Sequence, residues 1–413
     1  VNATADRLRA LAGRYGTPLY VYQLDDVRAA AAELRAILPE PSRLYYSLKA
    51  NPHPRLVAEL AGLGYHAEIS SVGELAVVEQ VGARTADCLY TGPGKTRAEI
   101  AYAVRAGVRT FSVESEADHG RVTEVAEELG AQVETLVRLN PPAQRGRAGL
   151  RMAGAATQFG VGTEDFHPNS PLVKDGAAVR PRGLHLFSAT NIAQEHTLIE
   201  ELRTSIRVAA TELSAAGLSA RLLDLGGGFA APYAQQGRRA HYPGLRAALA
   251  GSLDEHFPSW REGVPMPAFE SGRYLVAESG SLVCTVLDVK TVRDSTYVVL
   301  DAGTNVLSGM SGVGRILPPA ADIVPLSGPG CHDRPTVQVT VVGPLCTPLD
   351  VLSRARPQPV PAVGELVAVP NVGAYGASAS LLGFLSRPTP AEVVLDGDEV
   401  VEATRRTLTT DAL

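Results

Sequence analysis

No apolar run in this 413-residue chain is long enough to cross a bilayer, and no signal peptide is recognisable near Val1, so a soluble, cytoplasmic protein is expected. Cysteine is scarce. Cys88, Cys284, Cys331 and Cys346 lie far apart, with no CxxC or zinc-ligand spacing, so neither a disulfide framework nor a metal site is indicated and reduced thiols fit best. The formal charge of −6 and the scatter of Lys and Arg leave no basic stripe for phosphate backbones, which argues against nucleic acid as a partner.

What is present is ordinary globular material: 45% hydrophobic and 20% charged residues, in a length that accommodates two domains. Eight β-like runs recur: RLYYSLKA (43–50), YHAEIS (65–70), CLYTG (88–92), TFSVES (110–115), VETLVRL (133–139), GLHLFSA (183–189), RLLDLGG (221–227) and PAFESG (267–272). Between most of them lie amphipathic stretches such as PRLVAELAGLG, with apolar residues at helical spacing and Gly near the stop. This alternation predicts a (β/α)8 barrel over 27–275, with an open doubly wound sheet as the alternative. After 275 the pattern changes to strands in succession, SLVCTVLDVKTV, STYVVLD, TVQVTVVG, ELVAVP and EVVLDGDEVVEA, the last containing a hairpin turn at LDGDEV. A mainly β domain over 276–413 is expected, joined by 1–26, whose TPLYVY could supply a strand. The stretch 141–181, rich in Gly, Pro and Arg, is the longest irregular region and is expected over the catalytic face.

The barrel gives the polar residues their places, because active sites of such barrels collect at the C-terminal ends of the strands and phosphate is often held after strands seven and eight. Strand seven ends in LGGGF, with Gly226, Gly227 and Gly228 offering backbone N–H groups without side-chain obstruction. Alone, such a triplet is more often a turn; at this position it points to phosphate. Lys49 closes strand one. A lone lysine there is commonly a solvated strand end, but facing a phosphate cradle it reads as the amine that forms a Schiff base with pyridoxal 5'-phosphate (PLP). Glu270 fits as the carboxylate that keeps a pyridine nitrogen protonated. His185, ending an apolar strand, could stack on the ring or be a satisfied core histidine.

Taken in order, YGTPLYVY, YYSLKAN, SSVGEL, TQFGV, HLFS, LDLGGGF, ESGR, GPLCTPLD and GAYG resemble, over nearly the full length, the fold-type III PLP decarboxylases acting on diaminopimelate, ornithine and arginine. The resemblance implies that Lys49 carries PLP, that His185 stacks on it and that Ser188 contacts it. It puts Gly226, Gly227, Gly228, Gly272, Arg273 and Tyr375 around the phosphate, Glu270 at the pyridine nitrogen, and Glu68 where relatives usually carry Asp. It further implies a homodimer in which Cys346 enters the neighbour's site and returns a proton to the α-carbon after CO2 leaves. A lone cysteine would otherwise read as structural. Racemisation, the chemistry of the alanine racemase branch, fits less well, since that branch places an arginine at the pyridine nitrogen.

The substrate residues depart from the best-known members. Thr347 follows Cys346 where diaminopimelate enzymes usually have Glu and ornithine enzymes Asp. Gly309 and Val313 align approximately with the Arg and Tyr that read a distal carboxylate. Without counter-charges, a site disfavours a free charged side chain. The Thr347 to Asp350 variant is similar to the branch acting on aminoacyl carrier proteins in antibiotic pathways, so an acidic amino acid held as a carrier-protein thioester through its side-chain carboxyl is expected. Arg145, Arg147 and Arg151 could meet the carrier or be a solvated loop. A decarboxylase of a free amino acid and a non-catalytic PLP-binding regulator are the alternatives.

Overall fold

The computed structural model describes residues 4–141, 158–307, 320–326, 334 and 336–411. The chain divides into two compact units, one of residues 30–231 and 239–275, the other of 1–29, 232–238 and 276–413.

The first unit is a closed parallel barrel. Its eight strands are β2 (Arg43–Ser47), β3 (His66–Ile69), β4 (Leu89–Tyr90), β5 (Thr110–Val113), β6 (Val133–Leu139), β7 (Val179–Leu186), β8 (Leu222–Asp224) and β9 (Met266–Ser271), with β9 pairing back onto β2. These are the eight runs of the sequence, so the open-sheet alternative is excluded. The helices between strands include α3 (Pro54–Gly62), α4 (Val72–Gln80), α5 (Arg97–Arg105), α6 (Glu116–Glu128), α7 (Glu195–Ala216) and α8 (Leu245–His256). Their starts follow from local chemistry: Thr96 and Glu99 form a reciprocal capping box on α5, and Ser71 and Ser115 cap α4 and α6. Inside the barrel Tyr45, Leu89, Leu136, Leu222 and Ala268 pack as one buried layer.

Most strand boundaries differ from the sequence runs by a residue or more, and two of the differences have consequences. β2 stops at Ser47, and Lys49 lies in a short 3-10 turn, Leu48–Ala50. β7 begins at Val179, ahead of the GLHLF run, because a register shift opposite Thr135 and Leu136 lets the PRG segment join the ladder. Gly183, at φ +153°, sits within it, and any side chain there would collide with the Leu222 carbonyl of β8. Gly183→Ala is therefore expected to lower the unfolding free energy by about 3 kcal/mol, through strain plus a broken β7–β8 contact, read as a fall in Cm in urea.

The second unit is built on a nine-stranded sheet in the order β14-β13-β11-β10-β1-β16-β17, with β15 on β10 and β12 on β15. Its strands are β1 (Leu19–Gln23), β10 (Gly280–Val292), β11 (Ser295–Leu300), β12 (Val324–Pro325), β13 (Thr336–Val342), β14 (Val351–Pro359), β15 (Leu366–Val369), β16 (Ala391–Asp396) and β17 (Glu399–Arg405). The TPLYVY segment enters as β1, antiparallel to β10 and parallel to β16, with all five residues buried. α1 (Ala5–Tyr15) lays Leu8, Leu11 and Ala12 on the same core as Val283, Val393 and Leu395. The sequence pattern did not expose β14: VLSRARPQP carries two prolines, which a strand tolerates because β14 is an edge. Among the described residues no helix is long and apolar enough to cross a membrane.

Candidate active site

Parallel strands deliver their final residues to one rim, and that rim gathers a set of buried charged and polar side chains. Glu68 lies one residue before the end of β3, Ser112 before the end of β5, Arg138 before the end of β6, His185 before the end of β7 and Glu270 before the end of β9. Asp224 ends β8, and the register sets Arg138 beside His185 and His185 beside Asp224. Lys49, Ser188, Gly226 to Gly228, Gly272 and Arg273 follow the same ends.

Lys49 Nζ stands 3.2 Å from Glu68 Oε2 and 3.4 Å from Oε1. Glu68 is 1% exposed and Lys49 45%, so the amine reaches outward from a buried carboxylate. Burial works to raise the Glu68 pKa, but Lys49 and the hydroxyls of Thr91 and Ser47 outweigh it and hold the carboxyl below its usual range. The Thr91 hydroxyl donates to Glu68 Oε1 and lies 2.9 Å from Ser70 Oγ. Glu68, expected beside the cofactor, is thus the residue that fixes the lysine.

His185 and Glu270 are both buried, with Nε2 and Oε1 3.6 Å apart, and neither atom has a hydrogen-bond partner among the described residues. The other ring nitrogen, Nδ1, lies 2.8 Å from Ser112 Oγ. Asp224 accepts the Gly226 N–H at 2.8 Å through Oδ1, and among the described residues its buried Oδ2 has no donor. Burial, with Glu68 and Asp224 nearby, pushes the Glu270 carboxyl well above its usual range. Asp224 is raised to about 7 by burial, against the pull of the Gly226 N–H. Burial, helped by Arg138, Lys49 and Lys95, pulls His185 well below its ordinary value, leaving a neutral imidazole. Arg138 is itself committed to Glu114 at 3.0 Å.

The residues fit a PLP ring and its phosphate. Buried acceptors without donors are costly, and a protonated ring nitrogen would satisfy the orphaned Glu270 oxygen. The N–H groups of Gly227 and Gly228 donate to no acceptor among the described residues, as an anion cradle requires. The glycines also serve the fold: a Cβ on Gly227 would strike the Glu270 carbonyl, and one on Gly226 would lie 2.5 Å from the Phe187 ring.

The remaining expected residues belong to the second unit or lie outside the description. Cys346 is a free, exposed thiol, and Thr347 is half-buried beside it. Tyr375 has φ +54°, and its carbonyl accepts the Tyr233 hydroxyl at 3.0 Å. Asp350, expected at the substrate, is buried, with Oδ1 taking the Thr304 N–H at 2.7 Å and Oδ2 the Leu345 N–H at 2.7 Å, so it also braces the loop that carries Cys346. Gly309, Val313, Arg145, Arg147 and Arg151 lie outside the described residues. The sequence reading passed over Ser112, Asp224 and Arg138. Arg138 had a usable signal, a charge near the end of the apolar run VETLVRL, as Lys49 had in its own strand; Ser112 had none.

Comparison with known proteins gives the family of the chain. Residues 24–277 match the family model described as pyridoxal-dependent decarboxylase, pyridoxal binding domain. The chain is 29% identical over 398 residues, 95% of its length and 92% of the relative's, to the L-glutamyl-[BtrI acyl-carrier protein] decarboxylase of Niallia circulans. It is 32% identical over 400 residues, 95% of its length and 93% of the relative's, to the diaminopimelate decarboxylase of Deinococcus radiodurans. The crystal structure of diaminopimelate decarboxylase from Helicobacter pylori complexed with L-lysine superposes with a TM-score of 0.81 at 24% identity, covering 96% of this chain and 95% of that one. The chain belongs to the pyridoxal-dependent decarboxylase family, and it is a PLP-dependent amino acid decarboxylase with the barrel and separate β domain of that family.

Proposed function

We propose that the substrate is an acidic amino acid, glutamyl or 3-methylaspartyl in type, held as a carrier-protein thioester through its side-chain carboxyl, so that decarboxylation gives a γ- or β-aminoacyl carrier protein. The observation that carries this reading is the Cys346 loop. Thr347 stands where a free distal ammonium would need a carboxylate, and Asp350, the loop's one carboxylate, is already engaged by Thr304 and Leu345. A free charged side chain placed there would lack its counter-charge. The likeness to the Niallia circulans carrier-protein enzyme supports the same reading.

In this scheme Lys49 would bind PLP covalently, Glu270 would hold the ring nitrogen, and His185 would lie on the ring. Gly226 to Gly228, Gly272, Arg273 and Tyr375 would surround the phosphate, with Ser188 beside the cofactor. Bound there, PLP supplies the electron sink that accepts the charge left when CO2 departs. The chain's own residues do the rest. Glu68 holds the Lys49 amine in place, Ser112 fixes the neutral His185 ring, and Cys346 of one subunit in a homodimer returns a proton to the α-carbon at the other subunit's site.

Intact-mass spectrometry of glutamyl and 3-methylaspartyl carrier proteins incubated with the PLP-loaded enzyme, beside the free amino acids, tests the reading. Loss of the mass of CO2 from the carrier-bound forms alone is the expected result. A second reading rests on the identity to the Deinococcus radiodurans enzyme. Turnover of free diaminopimelate, lysine or ornithine would establish it and overturn the thioester substrate.

A further inference from the structure

One buried cation takes no part in the scheme above. Lys95 follows β4, its side chain is 1% exposed, and its ammonium has three donors for three acceptors. These are Asp118 Oδ2 at 2.8 Å, the Gly92 carbonyl at 2.5 Å and the Ser112 carbonyl at 2.8 Å. Asp118, 2% exposed, lies in the first turn of α6, and its carboxylate also takes the Glu114 N–H and an Arg121 N–H, each at 3.2 Å. A single ammonium thus ties the loop after β4, the penultimate residue of β5 and the start of α6. Burying such a pair carries a desolvation cost that apolar side chains would not incur, so its presence calls for a role beyond filling space.

The geometry supplies one. The Ser112 carbonyl held by Lys95 belongs to the residue whose hydroxyl lies 2.8 Å from His185 Nδ1. We propose that Lys95, paired with Asp118, is a positioning residue for His185, fixing the Ser112 main chain so that the serine hydroxyl holds the imidazole ring in the orientation that PLP binding uses. This rests on the assignment of His185 to the cofactor ring. Lys95 is also one of the three cations that keep His185 neutral, after burial and with Arg138 and Lys49.

A double-mutant cycle read by PLP affinity tests the proposal. The full-length chain, stripped of cofactor, is titrated with PLP by absorbance for wild type, Lys95→Met, Ser112→Ala and the double variant, after thermal melts confirm cooperative folding. Lys95→Met is expected to raise the PLP Kd about tenfold in the wild-type background and less than about twofold once Ser112 is alanine, because the two changes break one linkage. Equal effects in both backgrounds, or no effect in either, overturn it. Should Lys95→Met fail to fold, Asp118→Asn, which keeps the shape of the pair, takes its place in the same cycle with the same criteria. His185→Ala, measured alongside, separates the two levels of argument. An unchanged Kd there removes His185 from the cofactor and overturns the proposal with it, whereas a raised Kd with additive Lys95 and Ser112 effects overturns the positioning role alone.

Discussion

Lys49→Ala is expected to abolish decarboxylation, lowering kcat by at least ~10³-fold, because it removes the only amine at the barrel rim placed for covalent attachment of the cofactor among the proposed site residues. The fold should survive. The Lys49 side chain is 45% exposed, so its ion pair with Glu68 is screened by solvent and supplies little stability. The variant leaves Glu68 buried without its cation, and the carboxyl should then take up a proton more readily, since Lys49 is the largest influence that now holds its pKa down. Single-turnover kinetics, cofactor retention on dialysis and a thermal melt together check this. Full activity in the variant would remove Lys49 from the chemistry.

Glu270→Gln should separate activity from stability. Glutamine cannot stabilise a protonated ring nitrogen as a carboxylate does, so kcat should fall by about 10²- to 10³-fold, the scale seen when one preorganised electrostatic group is lost. The cofactor-free protein should respond in the opposite direction. Burial, then Glu68 and Asp224, raise the folded Glu270 pKa well above its usual value. The folded carboxyl therefore keeps its proton at pH values where the unfolded chain has released it, and stability falls as pH rises from the ordinary glutamate range toward the folded pKa. Removing the group removes that loss. Cofactor-free Glu270→Gln should accordingly melt higher than wild type at pH 8, with the difference vanishing near pH 4. A variant that melts lower at pH 8 would show that Glu270 is satisfied within the protein and is not held in readiness for a ligand.

These two residues also show how legible the chain was. Lys49 and Glu270 were visible because each places a charge at the end of an apolar run, and a run of that length in an alternating chain has one end on the catalytic rim. All eight barrel strands could be read for the same reason: strands buried on both faces need continuous apolar runs, and the helices between them carry their own period. β14 could not, because its prolines are acceptable only at a sheet edge, and edge position is a property of the assembled sheet.

Local sequence thus determined the alternation of strand and helix, the change to a β domain near residue 275, and the placing of a lysine, a glutamate and a glycine run at the ends of barrel strands. Tertiary structure decided what each polar group faces. It gave Glu68 to Lys49, committed Asp350 to Thr304 and Leu345, and set Ser112 against His185 from a strand two places round the barrel. A side chain's type and its place along a strand are local properties. Its partners and its degree of burial arise only when distant segments close around it, and in this barrel they hold the Glu68 carboxyl below its usual pKa range and push that of Glu270 above it.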